Sequence, residues 1–358
     1  FFHYMIRVDR DYAVELLAEA EEYFDSQESM PLDLKNRIKG EISLIRAFQQ
    51  FNDITAMYDH IEKAFGLLQG RSKLLHKELS WTLDCPHLAF LYVKNPAMYK
   101  GFVQLLNKRW TYYHAVSGGS SGSPELICAE YLLEKGDYLS AHSPLAKAVA
   151  AAKASGELNM GIAVAFTKAR LHLAHGQMDA ARKTFESVAP AVKKSRHPLR
   201  DFMLGLSQGY IASTLGQCDK IPGWLFSDEA PGALNFCGRS MFTYIVRGKV
   251  LLAQHDWHRL EVLAEKIVKP LEEMGIALGR IHFFIFKAIV ASHTGSMSQA
   301  LEYYSKAVDI ARSGNIITSI AEDGSHLHAL HRSLHVFAPD DKFIIILGKN
   351  IKRYARIL

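Results

Sequence analysis

The amino-acid sequence predicts an all-α protein, a right-handed superhelix (α-solenoid) of about seven antiparallel helix pairs with a period of about 40 residues. Two observations predict this fold class: a helix-ending turn recurs at nearly constant spacing, and the side chains around each turn keep the same order of sizes. In addition, no stretch alternates polar and apolar residues as a β-strand would. Because each pair of a solenoid packs only on its neighbours, we expect all 358 residues to form one domain.

The clearest turns follow one another at intervals of 39 or 40 residues. Four of the five contain glycine, which ends a helix readily because it adopts the left-handed conformation without a steric penalty. The central turn residues are Gly136, Gly176, Gly216, His255 and Gly295. A spacing this regular predicts five successive copies of one helix–turn–helix unit.

The residues around the turns keep register as well. Small side chains stand seven residues before each turn residue: Ala129, Ala169, Gly209, Gly248 and Ala288. Bulkier side chains stand two residues after it: Tyr138, Met178, Cys218, Trp257 and Met297. Small residues let paired helices approach closely, and large ones fill the gap to the next pair. One copy departs, because Asp228 replaces an apolar residue between Pro222 and Pro231, and we expect its helix to be short or broken.

Weaker copies extend this frame in both directions. Towards the N-terminus, Asn52-Asp53-Ile54 and Asn95-Pro96-Ala97 fit turns, and Asp11–Phe24 is amphipathic like the second helix of an earlier pair. Towards the C-terminus, Asp323-Gly324 interrupts the helices and Pro339-Asp340-Asp341 starts the last one. The expected parts are N-terminal repeats (1–116), a Gly/Ser loop (117–124), regular repeats (125–312) and C-terminal capping helices (313–358).

Composition narrows the classes of function. A hydrophobic content of 49% with 22% charged residues is typical of a folded, water-soluble protein. No run of about 18 apolar residues occurs, so no transmembrane span is expected. The net charge of +5 is mild, and even the densest basic stretches, 193–196 and 349–356, do not by themselves predict a nucleic-acid surface.

Cysteine usage and the first residues bear on the compartment. Cys85, Cys128, Cys218 and Cys237 show no CxxC spacing, which favours free thiols in a reducing cytosol over disulfides. The sequence opens on Phe1 without a recognisable signal peptide, so we expect a cytoplasmic protein and interpret Phe1 as the edge of a fragment or of a processed chain.

Two levels of resemblance emerge from these motifs. Gly136-Asp137-Tyr138 with Ala141, and the copy from Gly295 to Ala307, resemble the tetratricopeptide repeat. Three further motifs resemble the helical-repeat sensor domain of large ATP-dependent LuxR-family (MalT-like) bacterial transcription regulators. They are Ser80-Trp81-Thr82 with Pro86, the stretch from Tyr112 to Gly122, and Ala129-Glu130 with Gly136-Asp137-Tyr138. Only the segment from about Trp81 to Tyr138 is specific to that family.

The resemblance implies a function. In that family a nucleotide-binding switch domain precedes the repeats, the repeats sense an inducer, and a helix-turn-helix domain binds DNA. This chain contains neither a GxxxxGK[ST] phosphate loop nor a recognisable helix-turn-helix. The resemblance therefore implies an isolated sensor domain that partners the ATPase and DNA-binding domains of its parent protein and itself neither binds nucleic acid nor inserts into a membrane.

The expected ligand site is the concave face, which the first helices of the pairs line. The residue six before each turn marker falls on this face, and aromatic and aliphatic neighbours join it. The predicted ligand-binding residues are Tyr92, Glu130, Phe166, Arg170, Leu206, Tyr210, Phe242 and Lys249. A small polar inducer clamped by Arg170 and Lys249 would suit them, although Glu130 and Arg170 could instead simply pair between repeats.

Two further patterns remain open. Residues 117–123 (SGGSSGS) could cradle a phosphate, but a flexible connector is favoured, since no lysine follows and no strand precedes. His326, His328, His331 and His335 cluster after Gly324, and three of them share a helix face as metal ligands can, but surface or interface histidines are favoured and no metal or other cofactor is predicted.

Nothing in the sequence resembles a catalytic motif, so we expect no enzyme. The alternative function is a protein–protein interaction scaffold that holds a peptide or partner protein in its concave groove. Self-association is open, because a lone stack of repeats exposes cut ends.

Overall fold

The computed structural model describes residues 10–50, 52–75, 81–119, 121–227 and 237–357. Within these ranges every regular element is a helix and no strand occurs. Consecutive helices pack as adjacent pairs, so the predicted all-α solenoid class is confirmed, while the handedness of the superhelix stays a prediction. None of the described helices is long and apolar enough to cross a membrane.

The five regular repeats form as predicted. Their first helices are Ser123–Glu134, Leu158–Ala174, Pro198–Thr214, Cys237–Ala253 and Ala277–His293. Their second helices are Tyr138–Ser155, Met178–Lys183 continued by Thr184–Ser187 and Ala189–Ser195, a broken third copy, Trp257–Glu273 and Met297–Gly314. All five turn residues are left-handed, and His255 (φ 57°) adopts this conformation without being glycine.

The third repeat is interrupted where its prolines predict. Up to residue 227 the described chain has only the 3-10 turns Cys218–Lys220 and Gly223–Phe226 in place of the second helix, and Asp228 lies outside the described residues. Leu225 from these turns packs directly on Gly209, where an added Cβ would lie only 2.2 Å from the leucine side chain. The small residue at this register position therefore permits the close approach that the sequence pattern indicates.

The N-terminal repeats are less regular. Asp53 accepts a hydrogen bond from the Ala56 amide and Asn95 accepts one from the Ala97 amide, so both predicted turns are helix starts. The amphipathic segment predicted at 11–24 lies within a helix. The helices in this part are Arg10–Ser26, Leu32–Gln49, Ile54–Leu68, Leu88–Tyr92, the 3-10 turn Pro96–Met98 and Tyr99–Ser117.

The C-terminal part follows the predicted order of a break and two helices. The helices here are Thr318–Ala321, Gly324–Phe337 and Lys342–Ile357. Asp341 accepts hydrogen bonds from the amides of Phe343 and Ile344 at 2.9 and 3.1 Å, which confirms it as the start of the last helix.

The cysteines of the described part form no disulfide. Cys85, Cys128 and Cys218 are free thiols, as the absence of CxxC spacing predicts. The side chain of Cys237 lies outside the description.

The N-terminal helices also contact helices near the other end of the sequence. The side chain of Asn52 donates a hydrogen bond to the Met274 carbonyl across 222 positions of sequence, and Gly314 lies so close to Pro96 that an added Cβ would come within 2.5 Å of the proline carbonyl. Elsewhere, the Tyr138 hydroxyl donates to Asn350 at 3.0 Å. These contacts join parts of the described chain that are distant in sequence.

Candidate functional site

The eight residues predicted to line the concave face are all buried, with at most 2% of any side chain exposed. An aromatic and cationic stack joins most of them: the Phe166 ring lies 5.2 Å from Tyr210 and 5.8 Å from Phe242, and the cations of Arg170 and Lys249 lie 5.7 and 4.8 Å from the Tyr210 ring. The register argument therefore identifies a common inward face. That face is core in this structure, and its ligand-binding role stays a prediction.

Tyr92 belongs to a different cluster. Its ring stacks on Trp81 at 4.6 Å, and its hydroxyl donates to the Trp81 carbonyl at 2.7 Å. Trp110 and Tyr113 complete this cluster around the same indole. Leu206 is fully buried one helical turn before Tyr210.

Two stretches of the chain cover the inward face. The first, residues 84–93, is called here the N-terminal inner segment. It presents the first amides of the helix Leu88–Tyr92 to Glu130, whose carboxyl accepts hydrogen bonds from Leu88 N–H at 3.1 Å and Ala89 N–H at 2.7 Å. Phe90 of this segment packs on Phe242 at 5.1 Å between ring centres.

The second stretch, residues 317–323, is called the C-terminal inner segment. The Ile317 amide donates to the Glu134 carbonyl at 2.6 Å, and Ser319 donates to the Glu134 carboxylate through its amide and its hydroxyl at 3.1 and 2.8 Å. Glu322 and Asp323 follow and carry two buried negative charges into the interior. This segment therefore brings its own anions to the cations of the repeat helices.

Arg170 is the centre of the buried charge network. Its guanidinium donates to Glu134 at 2.7 Å and to Glu322 at 2.9 Å, and Tyr210 also donates to Glu322. Arg170 does not form the alternative ion pair with Glu130. The Glu130 carboxyl instead accepts hydrogen bonds from backbone amides and, at 3.3 Å, from the Thr167 hydroxyl. A buried pair that loses one partner costs about 3–5 kcal/mol, because the other charge stays buried.

Burial sets the protonation of the remaining groups. It raises the pKa of Glu130 to about 8 against the opposing effect of the Ala89 and Leu88 amides. It also holds the pKa values of His87 and His282 well below the usual histidine range, with neighbouring cations adding to the effect. Both imidazoles are therefore neutral near pH 7, and His87 lies 3.6 Å from Glu134 as a neutral polar neighbour.

A cavity of about 200 Å³ opens at one end of this network, beside the pair of Lys249 and Asp323. Lys249 donates to Oδ1 of Asp323 at 2.7 Å, whereas Oδ2 of the same carboxylate is buried without a hydrogen-bond partner. The cavity lies where the C-terminal inner segment leaves the interior. Its lining residues are Ser213, Thr214, Leu215, Gly216, Lys249, Leu252, Ala253, His255, Glu322, Asp323, Ser325 and His326.

The chemistry of this cavity suits a small polar molecule. The spare Asp323 oxygen and the Ser213 and Thr214 hydroxyl oxygens can accept hydrogen bonds, because both hydroxyls already donate to the Tyr210 carbonyl. Burial lowers the pKa of His326, which keeps this rim imidazole neutral near pH 7. A ligand with hydroxyl or amino donors would satisfy the orphaned oxygen.

The two other sequence candidates are accounted for differently. His326 lies near Trp257 and His293, whereas His328, His331 and His335 line a separate cleft. The described residues contain no group of three or more His, Cys, Asp or Glu that could hold a metal ion.

In the Gly/Ser loop, Gly118 is left-handed and Arg71 donates to the Ser117 carbonyl at 3.1 Å, as in a helix-ending connector.

Sequence reasoning missed four residues of the network. Glu134 stands one helical turn after Glu130, and this i,i+4 spacing is a signal that could have found it. Glu322 and Asp323 are an acidic pair directly after an apolar stretch, which indicates buried carboxylates only if the stretch is known to enter the core. Nothing in the sequence singles out His87.

A scan against models of known protein families gave no match for this chain, and a search of curated proteins gave none either. The resemblance to LuxR-family sensor domains therefore stays a prediction that depends on the motifs between about Trp81 and Tyr138.

Proposed function

We propose that this chain is a ligand-sensing regulatory repeat domain, and that a small polar inducer binds in the cavity beside Lys249 and Asp323. The observation that carries the proposal is the buried Asp323 oxygen without a partner at the edge of a cavity of about 200 Å³. Buried polar atoms are mostly hydrogen-bonded, so the spare Asp323 oxygen is available to a donor on a bound molecule. Lys249, from the predicted ligand-binding residues, lines this cavity.

The position of the cavity supports a regulatory role. A molecule bound there would contact the C-terminal inner segment at Asp323, and through Glu322 that segment contacts Arg170 at the centre of the network. Binding that favours one position of the segment would shift the population between two arrangements of the helical repeats. In the regulator architecture that the sequence resembles, such a shift would pass to an ATPase domain and from there to a DNA-binding domain.

The scaffold alternative has less support. A peptide in the concave groove would have to displace both inner segments, and the C-terminal one is held by the buried pairs of Arg170 with Glu322 and of Lys249 with Asp323. Breaking such pairs without replacing them is costly. No catalytic step is needed for either function.

The sensing proposal is tested by thermal-shift binding with three probe sets: mono- and disaccharides, amino acids and small polyamines. Ser325→Phe fills the cavity from its exposed rim without touching the ion pairs, and Ala329→Phe, one helical turn further along, is the matched control. We expect at least one probe class to raise the melting temperature of the wild type and of Ala329→Phe but not of Ser325→Phe. If no probe binds, or if Ser325→Phe binds as tightly as the control, this cavity is not the sensing site.

The regulator context needs a separate measurement. The open reading frame that encodes the chain should be read on both sides of Phe1 and Leu358. A GxxxxGK[ST] phosphate loop upstream and a helix-turn-helix downstream would support the regulator, whereas a frame containing neither would contradict it and leave the binding result standing alone.

A further inference from the structure

A second cavity lies between the last two helices, Gly324–Phe337 and Lys342–Ile357, outside the buried charge network. Its volume is about 400 Å³, and we call it the basic cleft. No carboxylate is among the described residues that line it. These lining residues are His328, His331, Arg332, His335, Ile344, Ile345, Gly348, Lys349 and Lys352.

The histidine at the base of the basic cleft is held in place and neutral. His331 Nδ1 is hydrogen-bonded to the Tyr304 hydroxyl at 2.8 Å, and its ring lies so close to Gly348 that an added Cβ would come within 2.4 Å of Nε2. Burial is the main cause that lowers the pKa of His331 to about 4, with the nearby His335, His328 and Lys352 adding to it and a backbone hydrogen bond with Ile344 opposing it. The imidazole is therefore neutral near pH 7, and the positive charge of the cleft comes from its arginine and lysines.

The rim and floor of the cleft differ in character. Arg332, Lys349 and Lys352 are exposed cations, none of which has an ion-pair partner within the described part of the chain. Ile344 and Ile345 supply an apolar floor. Nδ1 of His335 is buried and has no hydrogen-bond partner, so the cleft contains an unsatisfied polar atom as well as unneutralised charge.

We propose that the basic cleft binds a phosphate monoester with an organic body. The phosphate group would lie among Arg332, Lys349 and Lys352, since guanidinium and ammonium groups are the side chains that recognise phosphate most strongly. The apolar floor would pack against the organic part, which separates this ligand from inorganic phosphate. The site goes beyond the proposed sensing cavity, from which it is distinct in lining residues and in charge.

The test uses isothermal titration calorimetry on the full chain, with phenyl phosphate, inorganic phosphate and phenol as probes. Phenyl phosphate is expected to bind saturably, more tightly than inorganic phosphate, and phenol not to bind. Raising the salt concentration is expected to weaken binding, because the rim charges are exposed. Vesicles of phosphatidylcholine with and without phosphatidic acid distinguish a lipid headgroup from a soluble ester, and binding in either form supports the phosphate monoester.

Two double variants with equal loss of charge decide whether the cleft is responsible. Lys349→Ala/Lys352→Ala removes two rim cations, and Lys342→Ala/Arg356→Ala removes two exposed cations of the same helix that do not line the cleft. We expect the first to weaken phenyl phosphate binding by about tenfold or more and the second to leave it within about twofold. Equal weakening in both variants, or no saturable binding to phenyl phosphate or to phosphatidic acid vesicles, would overturn the proposal.

Discussion

The two inner segments fill the same interior by different physical means. The N-terminal segment is docked by aromatic packing, through Phe90 on Phe242, and by backbone amides on Glu130, a carboxyl whose pKa of about 8 leaves it largely protonated at pH 7. The C-terminal segment is held by full charges, with Glu322 on Arg170 and Asp323 on Lys249. One contact surface is apolar and nearly neutral, and the other is ionic.

This difference indicates which segment is suited to respond to a ligand. Apolar packing is non-directional and adds up over area, so the N-terminal segment has no single contact whose loss would release it. Buried ion pairs are directional and sensitive to any change at one partner. The cavity with its orphaned Asp323 oxygen lies beside the ionic segment, where a small ligand could influence its position.

The largest expected effect comes from removing the cation that holds the C-terminal segment. Arg170→Met leaves Glu134 and Glu322 buried without their partner, and we expect the free energy of unfolding to fall by about 3–5 kcal/mol. Urea denaturation followed by circular dichroism measures the loss.

The matched control for this variant is Arg182→Met, which removes an arginine paired with Asp179 on the surface, where the two side chains are 44% and 79% exposed. An exposed pair contributes at most about 1 kcal/mol. If the two variants lose similar stability, the Arg170 network is not the ionic anchor that its geometry indicates.

The second prediction uses pH to separate the two segments. The folded-state pKa of Glu130 lies near 8, above the value of about 4.3 for an unfolded glutamate. Its contribution to stability is therefore fully present below about pH 4.3 and is lost as pH rises through 8. Histidines with lowered pKa values act in the opposite direction, because their unfolded forms still release protons over about one pH unit above 6.5. These histidines are His60, His87, His175, His282, His326 and His331. The effect of Glu130 is therefore isolated by comparing the wild type, between about pH 6.5 and 8, with a variant that lacks this carboxyl.

In that window we expect the free energy of unfolding of the wild type to fall, relative to that of Glu130→Gln, by up to about 2 kcal/mol, since one proton is worth about 1.4 kcal/mol per pH unit. Glu130→Gln imitates the protonated carboxyl and keeps every histidine, so the difference between the two profiles reports Glu130 alone. Urea titrations at pH 6.5, 7.2 and 8 measure both slopes. A wild-type slope equal to that of Glu130→Gln would mean that Glu130 is ionised throughout and that both segments are anchored by charge.

The repeat frame could be predicted because it depends on local chemistry. Left-handed turn residues and the small residues before them recur at fixed spacing, and both follow from helix geometry alone. The same frame placed Arg170, Tyr210 and Lys249 on one inward face, where the structure has them.

What fills that face could not be predicted in the same way. Its occupants, 84–93 and 317–323, are distant in sequence from the residues that they contact, and the contact of Arg170 with Glu322 spans 152 positions. No periodic pattern encodes such long-range contacts, and the short helices that carry them give little amphipathic signal. The polar residues at equivalent positions of the repeats therefore predicted where the charge network lies. They left open whether a ligand or the chain itself supplies the groups that pair with them.

The smallest effect offers the sharpest comparison, because the same chemical change can be made at one hydrogen bond of each segment. Tyr210→Phe removes a buried hydroxyl that donates to the Glu322 carboxylate, and Tyr92→Phe removes one that donates to the Trp81 carbonyl. A hydrogen bond to a charged group contributes about 1.5–3 kcal/mol and a neutral one about 1 kcal/mol. We therefore expect Tyr210→Phe to lower the free energy of unfolding by about 1 kcal/mol more than Tyr92→Phe in urea denaturation at pH 7. Equal losses would show that the Glu322 carboxylate is fully satisfied by Arg170 alone, so that the ionic character of the C-terminal segment rests on the guanidinium and not on the wider network.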